Sequence, residues 1–230
     1  IDTGINRLGL NYNEFIKLKI NTKIKIFIIL THLSSADEKN NNYNNLQNKN
    51  FKKIIKNYQN VKFKSIANSM GIALGKSFHY DLTRAGIALY GGHFNTKLKN
   101  KIKPVIKLKA EILQIKKIKK NQYIGYNQTY RTKKAIMIAI LGIGYADGVS
   151  RRLSNKGYVF YKNIKFRIIG RISMDSITID ITNHHNALKN GMFLEIINYK
   201  YDIEKFATMS QTISNEILTS ISNRVKRIYI

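Results

Sequence analysis

Residues 139–176 read AILGIGYADGVSRRLSNKGYVFYKNIKFRIIGRISMDS, and the polar side chains of this stretch gather near glycines at strand ends. Tyr145, Asp147, Arg151, Arg171, Met174 and Asp175 are the ones so placed. Glycine lets a backbone come close to a ligand, and loops on a rigid scaffold are where binding groups concentrate. Phenol, carboxylate and guanidinium groups in that setting are the donors and acceptors of a small-molecule site. The same pattern is also met by a hairpin meander with ordinary turn residues.

The elements that must hold these groups are short. Residues 139–144 form an apolar strand that ends in Gly-Ile-Gly-Tyr, followed by the turn tripeptide Ala-Asp-Gly. YVFY and FRIIG are two further strands, joined by a turn at Lys162-Asn163. Upstream, VIKLKAEILQIKKI and MIAILGIG alternate apolar with polar residues, so the chain from Lys97 onward reads as antiparallel β structure. Two helices, at 202–207 and 210–222, and a last strand, RVKRIYI, close it.

The first part is different. Strands are expected near 24–30, 61–67 and 83–90, separated by helical segments at 13–19, 51–58 and through Leu74. Residues 39–50 are asparagine-rich and read as a loop or a poor helix start. This alternation implies parallel βαβ units. About four units fit before residue 92, whereas a closed (β/α)8 barrel needs eight strands and roughly 250 residues, so the parallel sheet is expected to be incomplete. Two domains follow, 1–95 and 96–230.

The chain has no cysteine, which excludes disulfides and thiolate metal sites, and no metal site is expected. Its most apolar stretch, 24–33, is too short to span a bilayer. A cytoplasmic protein without a membrane partner is the expectation. The 40 Lys and Arg against 13 Asp and Glu give a net charge of +27, which would ordinarily point to nucleic acid. Here the lysines are spread along the whole chain among isoleucine and asparagine, with a single proline. Compositional drift explains that better than a binding patch, and no nucleic-acid partner is expected.

Eight segments in order, IDTGINRLG, THLSSADE, IANSMGIAL, LTRAGIALYGG, IGYNQTY, GIGYADG, GRISMD and SNRVKRIYI, resemble motifs of the alanine racemases across essentially the whole chain. The resemblance implies an α/β plus all-β fold. It is the C-terminal half of a TIM-type (β/α)8 barrel that binds pyridoxal 5'-phosphate (PLP), followed by an antiparallel β-domain whose last residues return toward the barrel. It also implies interconversion of L- and D-alanine through a PLP-stabilised carbanion by two bases, supplying D-alanine for peptidoglycan.

Residue roles come from the same resemblance. Tyr126 is implied as one base, oriented by His32, with Arg84 facing the pyridine nitrogen. A phenol titrates near 10 in water, so such a base needs help toward phenolate. Asn68, Ser69, Arg84 and the backbone of Gly86 and Ile87 are implied in cofactor binding, Arg7 and the backbone of Met174 in binding the substrate carboxylate. Asp37, Tyr145, Arg151, Arg171 and Asp175 match residues of the substrate entrance. Where the family often has a tyrosine that adds a phosphate contact, this chain has Asn223. The active site is implied to be shared between the subunits of a homodimer.

The family's cofactor-bearing lysine lies near the start of the complete protein in a lysine-alanine-asparagine-type motif, and that motif is not in this sequence. The resemblance implies a chain that begins at about the fifth barrel strand, with a carbamylated lysine also falling before Ile1. A fragment, half of a split enzyme with a separate N-terminal chain, and a decaying remnant all remain open. So do a related serine or basic amino-acid racemase and, from another class, an inactive basic nucleic-acid-binding remnant.

Overall fold

Isoleucine-rich runs and polar helices alternate through the first half of the chain, and the runs pair side by side in parallel. The computed structural model describes residues 1–18, 24–58, 60–94 and 98–230. Two compact units result, Ile1–Ile102 and Lys103–Ile230. The boundary expected after residue 95, the pattern change at Lys97 and the helix end expected at Lys19 lie outside the described residues.

In the first unit, α1 (Tyr12–Lys17) is started by a capping box: Asn11 accepts the Glu14 N–H at 3.0 Å, and Glu14 accepts the Asn11 N–H at 2.8 Å. Strand β1 (Ile28–Leu30), helix α2 (Asn42–Lys56), strand β2 (Phe63–Ser65) and helix α3 (Ser69–Leu74) follow. β1 and β2 are parallel, with Ile28 opposite Phe63 and Leu30 opposite Ser65.

The strand expected at 83–90 is reduced to one parallel bridge, Asn68 to Arg84, followed by a 3-10 turn over Ile87–Tyr90. The reason lies in its amides. The N–H groups of Gly86 and Ala88 donate to Ser69 Oγ at 2.8 and 3.2 Å, which removes them from any ladder.

The asparagine-rich stretch 39–50, read as a loop or a poor helix start, is helix from Asn42 onward. Asn41 caps α2 by accepting the Tyr43 N–H at 2.9 Å. Asn44, Gln47, Asn48 and Phe51 then fall on one buried face at helical spacing. A buried amide needs partners, and of these only the Asn44 Oδ1 lacks one among the described residues: Gln47, wholly buried, accepts the Ser34 N–H at 2.9 Å and donates to His32 O at 3.0 Å and Thr3 Oγ1 at 3.3 Å. Asn44 donates to Ser35 O at 2.9 Å. The polar half of α2 therefore braces the loop that follows β1.

The second unit is a closed sheet. Its strands are β3 (Leu108–Ile118), β4 (Tyr123–Ile124), β5 (Tyr130–Arg131), β6 (Ile136–Leu141), β7 (Tyr158–Tyr161), β8 (Ile164–Arg167), β9 (Ile177–Asp180) and β10 (Phe193–Ile197). Six of them pair antiparallel in the order β8-β7-β10-β3-β6-β9, while β4 and β5 form a separate hairpin. The outer strands then meet through the bridge Ile168–Ile179 and the Ile169 N–H to Thr178 O bond at 2.9 Å. Closure removes the open edge that a six-stranded sheet would expose. Leu108, Ala110 and Ile112 point inward along β3 while Lys109 and Glu111 face solvent, and the interior is filled by Ala139, Leu141, Val159, Phe166, Ile177 and Ile196.

At the end of the chain, α4 (Ile203–Met209) is capped by Asp202, which accepts the Lys205 N–H at 3.0 Å. The expected helix at 210–222 shortens to α5 (Ser214–Ser220), because Gln211 adopts a left-handed φ of 56°. The expected strand RVKRIYI is absent as well: Arg227 folds back to donate to Ile221 O at 2.9 Å, and 226–230 have no strand partner among the described residues.

Replacing Gln47 with Leu keeps the volume and strands the Ser34 N–H and the His32 carbonyl. The expected loss is about 1–3 kcal/mol of stability, read as a lower urea midpoint at unchanged m-value; an unmoved midpoint would mean that the amide does not brace the loop.

Candidate active site

Three parallel chain segments end together in the first unit, and the charged group that joins them is Arg84. Its own N–H donates to Ala67 O at 2.9 Å, which sets the segment beside the end of β2. Its guanidinium donates to Ser65 Oγ at 2.5 Å and to Thr31 O at 2.7 Å, and NH2 lies 3.3 Å from His32 Nδ1. All these partners are neutral. Burial lowers the Arg84 pKa, yet a guanidinium stays protonated. Its Nε–H makes no hydrogen bond among the described residues and is left to donate.

His32 sits between two donors. Asn68 Oδ1 is committed as the cap of α3, accepting the Gly71 N–H at 2.8 Å, which turns Asn68 Nδ2 to His32 Nε2 at 3.1 Å. With Arg84 on the other nitrogen, an imidazolium would have no acceptor to offer either neighbour. Burial first, then the positive charges of Arg84 and Arg7, hold the His32 pKa below its ordinary value. His32 is therefore neutral near pH 7. Arg7 is on an exposed loop shaped by Asp2, whose carboxylate accepts the N–H groups of Gly4, Ile5 and Arg7 at 2.7, 3.0 and 2.7 Å.

Ser69 is buried and accepts two backbone N–H groups, which uses both lone pairs and leaves its own O–H to donate. The Ile87 N–H makes no bond among the described residues. The Gly86 N–H, expected to face the ligand, is spent on Ser69 Oγ instead. Ser69 O–H and Ile87 N–H thus form a small donor cradle at the strand ends, with Arg84 Nε–H as a further donor in the same unit. That donor set fits a phosphorylated ligand carrying an aromatic nitrogen.

In the second unit, glycines let backbones touch. Gly125 (φ 76°) lies against Arg171, where a Cβ would come 2.8 Å from its N; Gly170 (φ 76°) lies against Ile124, where a Cβ would come 2.8 Å from its O. This packing brings Tyr126, 66% exposed, beside Arg171. Asn155 ties the same loops together, accepting the Gly170 N–H at 2.6 Å and donating to Thr129 Oγ1 at 3.1 Å. Tyr145 N–H donates to Ser173 O at 3.0 Å and Ala146 N–H to Met174 O at 3.0 Å, so Tyr145 and Met174 share one corner. Arg151 lies 5.8 Å from the Tyr145 ring centre, a cation–π contact. Asp175 is bound to Arg224 rather than free, and Asp37 is exposed with no partner among the described residues.

Each unit thus brings its own set together: His32, Asn68, Ser69, Arg84 and Ile87 in one, Tyr126, Tyr145, Arg151, Arg171 and Met174 in the other. Gln47 and Asn155 support these groups, and nothing in the sequence marked them beyond being amides in turn-rich stretches.

The fold and the cradle define a class: a protein that binds its ligand at the C-terminal ends of parallel strands and adds a closed β-domain bearing exposed tyrosines. Residues 1–94 match the family profile "Alanine racemase, N-terminal domain" and residues 105–229 match "Alanine racemase, C-terminal domain". The chain belongs to the alanine racemase family. It is 44% identical to the alanine racemase of Rickettsia bellii and 38% identical to that of Brucella abortus, with 99% and 100% of the chain aligned. The crystal structure of alanine racemase from Bartonella henselae with covalently bound pyridoxal phosphate superposes over the whole chain with a TM-score of 0.93 at 40% identity. The chain spans 57%, 62% and 65% of the length of these three proteins. Its fold is accordingly part of a TIM-type barrel followed by the family's β-domain. No helix among the described residues is long and apolar enough to cross a membrane.

The unfolded chain binds a proton at its histidines near pH 6.5, whereas folded His32 resists it. Stability contributed at His32 is therefore complete above the unfolded value and is lost as pH falls below it. His32→Asn is expected to flatten the fall in urea midpoint between about pH 7.5 and 5.5; an unchanged slope would assign that fall to other groups.

Proposed function

We propose that this chain forms the cofactor cradle and the β-domain of an alanine racemase that interconverts L- and D-alanine with pyridoxal 5'-phosphate. The observation that carries this reading is the Arg84 guanidinium, which has only neutral internal partners and stands at the same strand ends as the Ser69–Ile87 donor pair. When bound, PLP supplies the electron sink for removal of the α-proton. Arg84 would hold the ring nitrogen and, because it keeps its own proton, leave that nitrogen unprotonated. Ser69 and Ile87 would hold the phosphate, with Asn68 fixing the wall beside them.

Tyr126 is the proton-transferring group on one face of the substrate in this proposal. His32, whose ring nitrogens are taken up by Arg84 and Asn68, would orient Tyr126 through its place beside Arg84 rather than by accepting its proton. Arg7 and the backbone of Met174 would bind the alanine carboxylate, and Asp37, Tyr145, Arg151, Arg171 and Asp175 would line the entrance. We further propose that two copies share each site, the first unit giving the cradle and the partner's β-domain giving Tyr126, Tyr145 and Met174, in a cytoplasmic dimer.

The test is turnover of alanine, measured ahead of serine and lysine, by the enzyme containing this chain. In it, Tyr126→Phe is expected to suppress racemisation in both directions, since every turnover uses both bases, by about 10²–10⁴-fold while PLP binding holds; an equal loss of turnover and PLP binding would mark Tyr126 as structural. The 230 residues by themselves hold no lysine in the family's cofactor motif. Borohydride treatment of this chain with PLP is therefore expected to fix no pyridoxyl group on one specific lysine, and such an adduct would overturn that assignment.

A further inference from the structure

The end of the chain reaches the Tyr145 and Met174 turns through one side chain. Arg224 NH2 donates to Asp175 Oδ1 at 2.6 Å, and its Nε lies 3.4 Å from Asp147 Oδ1. Asp175 directly follows Met174, and Asp147 stands two residues after Tyr145. Asp147 is buried, and its other oxygen accepts the Gly144 N–H at 2.8 Å, so this carboxylate closes the turn that carries Tyr145.

Backbone contacts bring the same segments together. A Cβ on Gly144 would overlap the Met174 carbonyl, and one on Gly148 would come 2.7 Å from Ser220 O. Residues 144–148, 173–175 and 220–224 therefore converge with almost no side chain between them. Arg224 bonds to carboxylates on the first two segments while anchored on the third.

We propose that Arg224 is a positioning residue of the racemase reaction. Its guanidinium fixes the Tyr145 turn and the Met174 turn relative to one another, and so holds the Met174 backbone where the substrate carboxylate binds. This rests on the racemase reading above. Two features separate positioning from a general contribution to stability. Arg224 and Asp175 have side chains 52% and 62% exposed, where ion pairs add little to folding. And the two carboxylates are met by different nitrogens of one planar fork, Nε and NH2, which the point charge of a lysine does not reproduce.

The experiment uses the active enzyme containing this chain. Arg224→Gln is expected to raise KM for alanine on the order of tenfold while kcat, the visible absorbance of bound PLP and the Tm stay close to wild type. Arg224→Lys should not rescue it. Asp175→Asn, at an exposed site that leaves the fold intact, should raise KM similarly, and the double variant should add little to either single one. Unchanged KM in both single variants overturns the proposal. So does a joint fall of kcat and Tm, which would make Arg224 structural. A wild-type enzyme with no alanine turnover would instead remove the racemase reading itself, before any variant is compared.

Discussion

A half-buried guanidinium with no carboxylate beside it is the constraint on which the first unit depends. Arg84 compensates for its desolvation with a serine hydroxyl at the end of β2 and with a carbonyl and an imidazole nitrogen on successive residues after β1. A charge partnered only by neutral dipoles keeps most of its field. Burial first, and then that field, lower the basicity of His32, and the capping of α3 by Asn68 occupies the other ring nitrogen. One cation thus joins three chain segments, adds to the burial that keeps a histidine neutral, and sets the sign of the site. A carboxylate near Arg84 would neutralise all three effects.

The second unit is organised by close backbone approach rather than by charge. Closing six strands into a barrel-like sheet leaves the loops at one end to pack on each other. At Gly125, Gly144, Gly148 and Gly170 they do so with no room for a β-carbon. Side chains on either side of such contacts cannot drift apart, because the backbones that carry them are touching. This is how Tyr126 and Arg171, separated by forty-odd residues, come to share one surface, and how Tyr145 shares a corner with Met174. The glycines serve as spacers of zero width.

Much of this was legible in the sequence because short motifs encode local geometry. The turns after GIGY and at Lys162-Asn163 and the alternation along β3 follow from residues read in place. What was not legible shares a physical cause. The helix α2 hides behind asparagines because its buried face is amide rather than apolar, and hydrophobic periodicity is blind to amides that bond to loops. The expected strand at 83–90 fails because Ser69, seventeen residues earlier, takes its amide protons. Asn155 and Arg224 act on partners far away in the chain, where spacing carries no signal.

The charge balance gives the carboxylates a particular meaning. With 13 acidic residues against 40 basic ones, carboxylates are too few to neutralise the surface, and most of the lysines are left to solvent. Five of the acids close backbone turns and helix starts instead: Asp2 on Gly4 and Arg7, Glu14 on Asn11, Asp81 on Lys64, Asp180 on Thr182, Asp202 on Lys205. Each of these binds N–H groups whose satisfaction requires an acceptor whatever the net charge. Drift toward lysine can proceed across the surface without touching them. Against that background, two carboxylates converging on a single arginine is a departure from the pattern, since neither Asp175 nor the outer oxygen of Asp147 is needed by a backbone amide there. What that arrangement joins is instead two turns, the one that carries Tyr145 and the one that carries Met174.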